Sequence, residues 1–187
     1  MFLQFIFKVQ DLQNNRFQLS DLMLISRMTD CDIQEVKQIE EECYLSYWSA
    51  DDYRNEINRL DSLLFVAKLE SKVVGFLVSR LITINLKLLE SSELSENSGS
   101  DSEIEIYNLA VKPIFQQKGI GQMLINQLLD STQQIVSKTF WLEVRESNIT
   151  AIKFYRRNGF NTVSKRKSFY CNPNEDGIIM NKVLIDF

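Results

Sequence analysis

Not one of the 187 residues is a histidine. Ser-His-Asp and Cys-His catalysis are therefore excluded, and the commonest ligand of transition metals is missing. Proton transfer, where there is any, falls to Glu, Asp, Tyr, Lys, Cys or water. Cysteine is scarce as well. Cys31, Cys43 and Cys171 are far apart, odd in number and form no Cys-x-x-Cys pair. That usage suits a reducing cytosol and argues against a zinc site or a disulfide scaffold, so we expect a cytoplasmic protein with spectator thiols and no metal. Basic charge is in deficit, with 21 Lys and Arg against 25 Asp and Glu and a net charge of −4. General nucleic-acid binding wants a basic face, so no direct nucleic-acid partner is expected. One local basic strip, Arg156, Arg157, Lys165, Arg166 and Lys167, is expected to be mostly a solvated face. Long apolar runs are absent too. The segment Met1 to Val9 is apolar but far too short to span a bilayer, and it lacks the basic start and cleavage site of a signal peptide. An extra strand or helix packed on the domain is the expectation there, with no membrane contact.

What is present suffices for one domain with ample core, at 44% hydrophobic content. The most informative stretch is Gln116-Gln117-Lys118-Gly119-Ile120-Gly121. Before it, Ile104 to Val111 reads as an apolar strand; after it, Met123, Leu124, Leu128 and Leu129 recur at helical spacing. A strand that turns through two glycines into a helix N-terminus aims free backbone N–H groups and the positive end of the helix dipole at one spot. Such a spot favours an anion, typically a phosphate. Two familiar phosphate loops fail letter by letter. A Walker loop needs Gly-Lys-Ser/Thr, but Gln122 and Met123 follow Gly121, and the last glycine of a dinucleotide fingerprint would fall on Leu124.

Gln-x-x-Gly-x-Gly at a strand–helix junction resembles instead the pyrophosphate loop of the GNAT acetyltransferases. The strings downstream extend the resemblance. Trp141-Leu142-Glu143-Val144-Arg145 is followed by Asn148, by Ala151-Ile152, and by Tyr155 and Gly159-Phe160. More narrowly, the chain resembles the bacterial ribosomal-protein alanine N-acetyltransferase branch. The matches there are Tyr107-Asn108-Leu109-Ala110-Val111, Arg166-Lys167-Ser168-Phe169-Tyr170 and Glu175-Asp176-Gly177-Ile178-Ile179-Met180, with Tyr47-Trp48-Ser49 a looser one. The likeness covers roughly residues 24 to 184.

Element by element, the chain predicts a strand over 22–28 and a helix capped by Asp30 that carries Ile33, Val36, Ile39 and Cys43. A second helix, Ser49 to Ile57, is capped by Ser49 with Asp52 three residues on. A hairpin turns around Glu70-Ser71-Lys72, and strands over 161–170 and 177–185 end the chain. Ser147 or Asn148 caps the helix before Gly159, which is placed to end it in the left-handed conformation. The order β-α-α-β-β-β-α-β-α-β-β gives an α/β mixed sheet. The resemblance makes it the GNAT fold, a mostly antiparallel sheet splayed at the coenzyme cleft with helices on both faces. We expect an N-terminal extension over 1–20 and a single domain over 21–187. Within it a solvated Ser/Glu-rich loop near 88–102 looks like an insertion.

The resemblance implies acetyl-coenzyme A as cosubstrate and direct transfer to an amine. Its diphosphate would rest on Gln116, Gln117, Lys118, Gly119, Ile120, Gly121 and Gln122. Its pantetheine arm would meet Leu109, Ala110, Val111, Asn148 and Tyr155. Glu143 matches the family's base and Tyr155 its general acid, while Trp48, Tyr107, Asn108 and Tyr170 would line the acceptor groove. Each has a plainer alternative: Glu143 paired with Arg145, Tyr155 as a core aromatic, Asn148 as a helix cap. Glu103 and Glu105 are rival bases on the preceding strand. The implied acceptor is a protein N-terminus, such as that of a ribosomal protein, and the expected state is a monomer or weak dimer. The alternatives are a small-molecule amine or polyamine acetyltransferase and a non-catalytic acyl-coenzyme A binding module.

Overall fold

A computed structural model describes residues 22–45, 48–82 and 102–185. The expected extension over 1–20, Tyr47, and the Ser/Glu-rich loop up to residue 101 lie outside the described residues. The elements are β1 Met23–Arg27, α1 Ile33–Glu42, α2 Ala50–Ile57, β2 Ser62–Leu69, β3 Lys72–Leu81, β4 Ser102–Val111, α3 Ile120–Ser131, β5 Ser137–Arg145, α4 Ile149–Arg157, β6 Asn161–Cys171 and β7 Asn174–Ile185. Their order is the expected one. The strands form one seven-stranded sheet in the order β1-β2-β3-β4-β5-β7-β6. β1 pairs with β2, β5 with β7 and β6 with β7 antiparallel, and β4 with β5 parallel. This is a mixed, mostly antiparallel sheet.

Contacts along the chain group the described residues into two compact units. The first holds those of 22–57, 64–76 and 109–128. Leu64 to Ala67 and Val73 to Phe76 are buried without alternation, as happens when both faces of a strand are covered. Val36 and Ile39 of α1, Tyr53 of α2, and Ile120, Leu124, Ile125 and Leu128 of α3 complete its core. The cap of α2 is the expected one: Asp52 N–H donates to Ser49 Oγ (3.1 Å) and Ser49 N–H to Asp52 Oδ2 (2.7 Å). The cap before α1 is not Asp30. Thr29 N–H and its hydroxyl both donate to Asp32 Oδ2 at 2.9 Å, and Asp30–Asp32 forms a 3-10 turn leading into the helix. Thr29 wins because Asp32, three residues on, can bond back to its amide, and Lys68 holds the same carboxylate at 2.6 Å.

The second unit holds the described residues of 58–63, 77–108 and 129–187. In β5 the even-numbered residues Lys138 to Val144 are buried and the odd-numbered ones half-buried, the period of two expected of a strand with one covered face. β7 starts at Asn174 rather than Gly177, because Asn174 and Glu175 already pair with Cys171 and Tyr170 of β6.

Candidate active site

In the first unit, the stretch from Leu109 to Gln122 forms a strand end, a 3-10 turn at Pro113–Phe115, a loop and the start of α3. Gln117 and Gly119 both have left-handed backbone, with φ of 59° and 83°. Such reversals turn successive N–H groups inward to make an anion-binding concavity. A Cβ built on Gly119 would have no atom within 4 Å, so the glycine serves conformation rather than packing and leaves the loop open for a ligand. Gly119 C=O accepts the first helical bond, from Met123 N–H at 3.1 Å, which makes Gly119 the N-cap. The amides of Ile120 and Gly121 are thus among the donors that the start of a helix leaves without intrahelical partners. The first turn of α3 has no acidic residue to compete for them. Gln116 does not point into this cradle. Its Nε2 donates to Val111 C=O at 3.0 Å and ties the loop to the end of β4; Cys43 Sγ approaches the same oxygen at 3.4 Å. Lys118 Nζ lies 5.3 Å from the Phe115 ring. The residues fit a diphosphate.

Trp48 belongs to the same unit. Its ring meets that of Tyr53 at 5.4 Å, and its carbonyl accepts from Lys37 Nζ at 3.1 Å. Glu40, beneath this connection, is a buried carboxylate whose pKa is raised by burial, against the opposing effect of Tyr53 and the Trp48 backbone.

In the second unit, β4 and β5 pair in parallel from Ser102↔Lys138 to Ile106↔Leu142. β5 continues beyond this ladder against β7 as far as Arg145↔Gly177. Along β4 the burial alternation breaks at Tyr107, Asn108 and Leu109, all half-buried. Burial raises the Tyr107 pKa, with Glu105 adding to it and Arg80, 5.4 Å from the ring, opposing. Asn108 Nδ2 is buried with no hydrogen-bond partner. Glu103 and Glu105 sit opposite Thr139 and Trp141.

Glu143 is not paired with Arg145. Arg145 reaches to the β6–β7 turn, where its Nη1 meets Glu175 Oε1 at 2.7 Å and its Nη2 donates to Asn172 C=O at 3.1 Å. The Arg145 guanidinium also stacks on Tyr170 at 4.2 Å. Glu143 Oε2 accepts instead from Arg166 Nη1 at 3.0 Å, and its Oε1 is buried without a hydrogen-bond partner. The basic strip is exposed at all five residues, as expected of a solvated face, and two of them also pair with acidic side chains: Lys165 with Glu146 and Asp176, and Arg166 with Glu143.

Tyr155 is buried on α4, with its pKa driven well above the ordinary phenol range by burial and, second, by Tyr170. Tyr170 in turn is raised by burial and by the charge of Glu143. The same phenol is thus influenced by Glu143 on one side and itself influences Tyr155. The ends of α4 hold Tyr155 in place. Asn148, not Ser147, caps the start, accepting from Ala151 N–H at 3.0 Å. At the other end Phe160 N–H bonds Tyr155 C=O and Gly159 N–H bonds Arg156 C=O, both at 3.0 Å, with Gly159 at φ 83°. This is a Schellman closure, and its usual apolar contact is the Phe160 ring against Tyr155 at 5.6 Å.

Gly177 and Arg166 are the neighbours of Glu143 that pattern reasoning passed over. A glycine inside a strand does signal a close approach by another group. Here a Cβ on Gly177 would overlap Glu143 Oε1.

A phosphate-shaped loop entering α3, a carboxylate on β5 and a buried tyrosine on α4 are the parts that a coenzyme A-dependent acyltransferase uses. The family model described as "Acetyltransferase (GNAT) family" matches residues 33–160, and the chain belongs to that family. It is an acetyl-coenzyme A-dependent N-acetyltransferase. Among curated proteins it is similar to the ribosomal protein bS18 alanine N-acetyltransferase of Salmonella typhimurium. The two are 30% identical over 159 residues, covering 83% of this chain and 94% of that protein. The namesake from Haemophilus influenzae is 28% identical over 163 residues, covering 85% and 97%. Among solved structures, the ribosomal-protein-S18-alanine N-acetyltransferase of Escherichia coli superposes with a TM-score of 0.69 at 25% identity, covering 88% of this chain and 96% of that one. Arabidopsis thaliana NAA60, solved with a bisubstrate analogue, shares the fold with a TM-score of 0.72 at 20% identity, covering 86% and 97%. Among the described residues no helix is long and apolar enough to cross a membrane.

Proposed function

We propose that the chain acetylates the N-terminal α-amine of a protein in the cytoplasm, with a ribosomal protein as the leading acceptor. The observation that carries this reading is the 30% identity to the Salmonella enzyme over 94% of that enzyme's length. Elementary acid–base chemistry is consistent with it. At pH 7 an α-amine with pKa near 7.7–8.0 needs roughly 1 kcal/mol to become neutral, against about 4–5 for lysine. A carboxylate, acting directly or through one water, is base enough for the first.

Bound acetyl-coenzyme A supplies the acetyl thioester. The amides of Gln117 to Gly121 would hold its diphosphate, with Lys118 adding charge and Gln116 bracing the loop. Leu109 is the better strand partner for the pantetheine arm, because the Val111 carbonyl already accepts from Gln116 and Cys43. Ala110 follows Leu109 on the same strand end. Glu143 takes the proton of the acceptor amine through Oε1, the oxygen not engaged by Arg166. Tyr155 would donate from Oη to the leaving sulfur. Its raised pKa keeps the proton on the phenol and widens the gap to a thiol, so its contribution is a donated hydrogen bond more than a completed transfer. In the second unit, Tyr107, Asn108 and Tyr170 would meet the acceptor.

Coenzyme A release with a panel of acceptors tests the reading. Peptides with free Ala or Ser N-termini are expected to turn over, while N-blocked peptides with internal lysines, and spermidine, are not. Preference for lysine or spermidine would overturn the acceptor assignment. A second prediction addresses the loop. Gly119→Val puts a β-branched residue at φ 83°, where a side chain costs about 1–2 kcal/mol. The coenzyme KM should rise about tenfold, with kcat at saturation little changed. An unchanged KM would remove the diphosphate from this loop.

A further inference from the structure

Glu143 stands on β5 and Arg166 on β6, and β7 lies between them. Strands lie about 4.8 Å apart, so their backbones are about 10 Å from each other, and an intervening side chain would normally separate them. The intervening residue is Gly177. It is the cross-strand partner of Arg145 on one side and of Arg166 on the other. The missing side chain leaves a gap into which Glu143 leans diagonally, to meet Arg166 Nη1 at 3.0 Å.

Each oxygen of that carboxylate has its own surroundings. Oε2 takes the guanidinium; Oε1 lies over Gly177, buried, with no hydrogen-bond partner. Arg166 is itself held from a second side, its guanidinium 4.2 Å from the Phe169 ring. The irregularity in the β6–β7 register between Arg166 and Tyr170, with Ser168 at φ 49°, accompanies that placement of Phe169. Arg145, the other arginine on this face, is engaged by Glu175, Asn172 C=O and Tyr170. An ion pair whose arginine is 55% exposed adds little to stability. What it does fix is direction: Oε2 is tied to the guanidinium, and Oε1 is held over Gly177 without a hydrogen bond.

We propose that Arg166 is a positioning residue for the reaction, holding the Glu143 carboxylate by Oε2 so that Oε1 is left unengaged to take the proton of the acceptor amine. The inference rests on the reading of Glu143 as base. It says nothing of contact between Arg166 and either substrate.

A double-mutant cycle with Glu143→Gln and Arg166→Gln tests it, with Arg166→Lys as the conservative variant. In the otherwise unaltered enzyme, Arg166→Gln should lower kcat about tenfold, the scale of a modest misplacement, with the coenzyme KM within about twofold. Arg166→Lys should recover most of that loss, and melting temperatures should stay close together. On the Glu143→Gln background, Arg166→Gln should cost almost nothing further. The same loss on both backgrounds would mean that Arg166 acts elsewhere and would overturn the proposal. So would full activity in Arg166→Gln while Glu143→Gln is crippled. Full activity in Glu143→Gln alone would instead bring down the base assignment, and the inference with it, so the two failures are told apart.

Discussion

Glu143→Gln is expected to lower kcat by about 10²–10⁴-fold, the range over which a positioned general base contributes. The substitution is isosteric. A glutamine keeps an oxygen for Arg166 Nη1 and fits the same space over Gly177, so neither packing nor the turn of β6 into β7 should be disturbed. What disappears is the ability to take a proton. The coenzyme KM should be little affected, since the loop from Gln116 to Gln122 belongs to the other compact unit. Steady-state kinetics with a free-N-terminus peptide, alongside a thermal melt, check this. Retained kcat would move the base to Glu105 or Glu103, which sit opposite Trp141 and Thr139 in the β4–β5 ladder.

Gly177→Ala should be nearly as damaging, by a route that sequence alone does not suggest. The added Cβ would overlap Glu143 Oε1 and stand 2.9 Å from its carboxyl carbon and 3.2 Å from its Cγ. The three nearest atoms all belong to the outer part of one side chain, so the carboxylate gives way and the backbone does not. Stability should change by no more than about 1 kcal/mol. A base displaced by an ångström can cost about 10²-fold in kcat, and that is the expected loss. On the Glu143→Gln background the same alanine should add little, because there is no base left to misplace. A Gly177→Ala enzyme with full kcat would show that the position of Glu143 over this glycine is immaterial to turnover.

Much of the fold was legible because its signals are local. The Glu70-Ser71 hairpin, both of whose turn residues have positive φ, the Ser49–Asp52 cap and the Gly159 helix stop each depend on a few neighbouring residues. The strand–loop–helix at Gln116 to Gly121 is local too, which is why its shape could be placed from the letters alone. The Asp30 cap failed for an equally local reason: Thr29 and Asp32 satisfy each other, an arrangement in which Asp30 has no part.

The electrostatic partners were not legible. On β5 alone, Arg145 is the nearest cation to Glu143 on the same strand face, and period-two reasoning pairs them. Strand order decides otherwise. With β7 inserted between β5 and β6, Arg145 finds the β6–β7 turn, and the side-chain gap at Gly177 delivers Arg166, 23 residues along the chain, to Glu143. Sequence therefore determined the family, the order of elements, the candidate anion-binding loop and the candidate acid and base, since each is written in short-range pattern. Only tertiary structure decided which charges meet, which carboxylate oxygen is left without a hydrogen bond, and that burial raises the Tyr155 phenol. Those quantities depend on residues brought together across strands, and no local spacing encodes them.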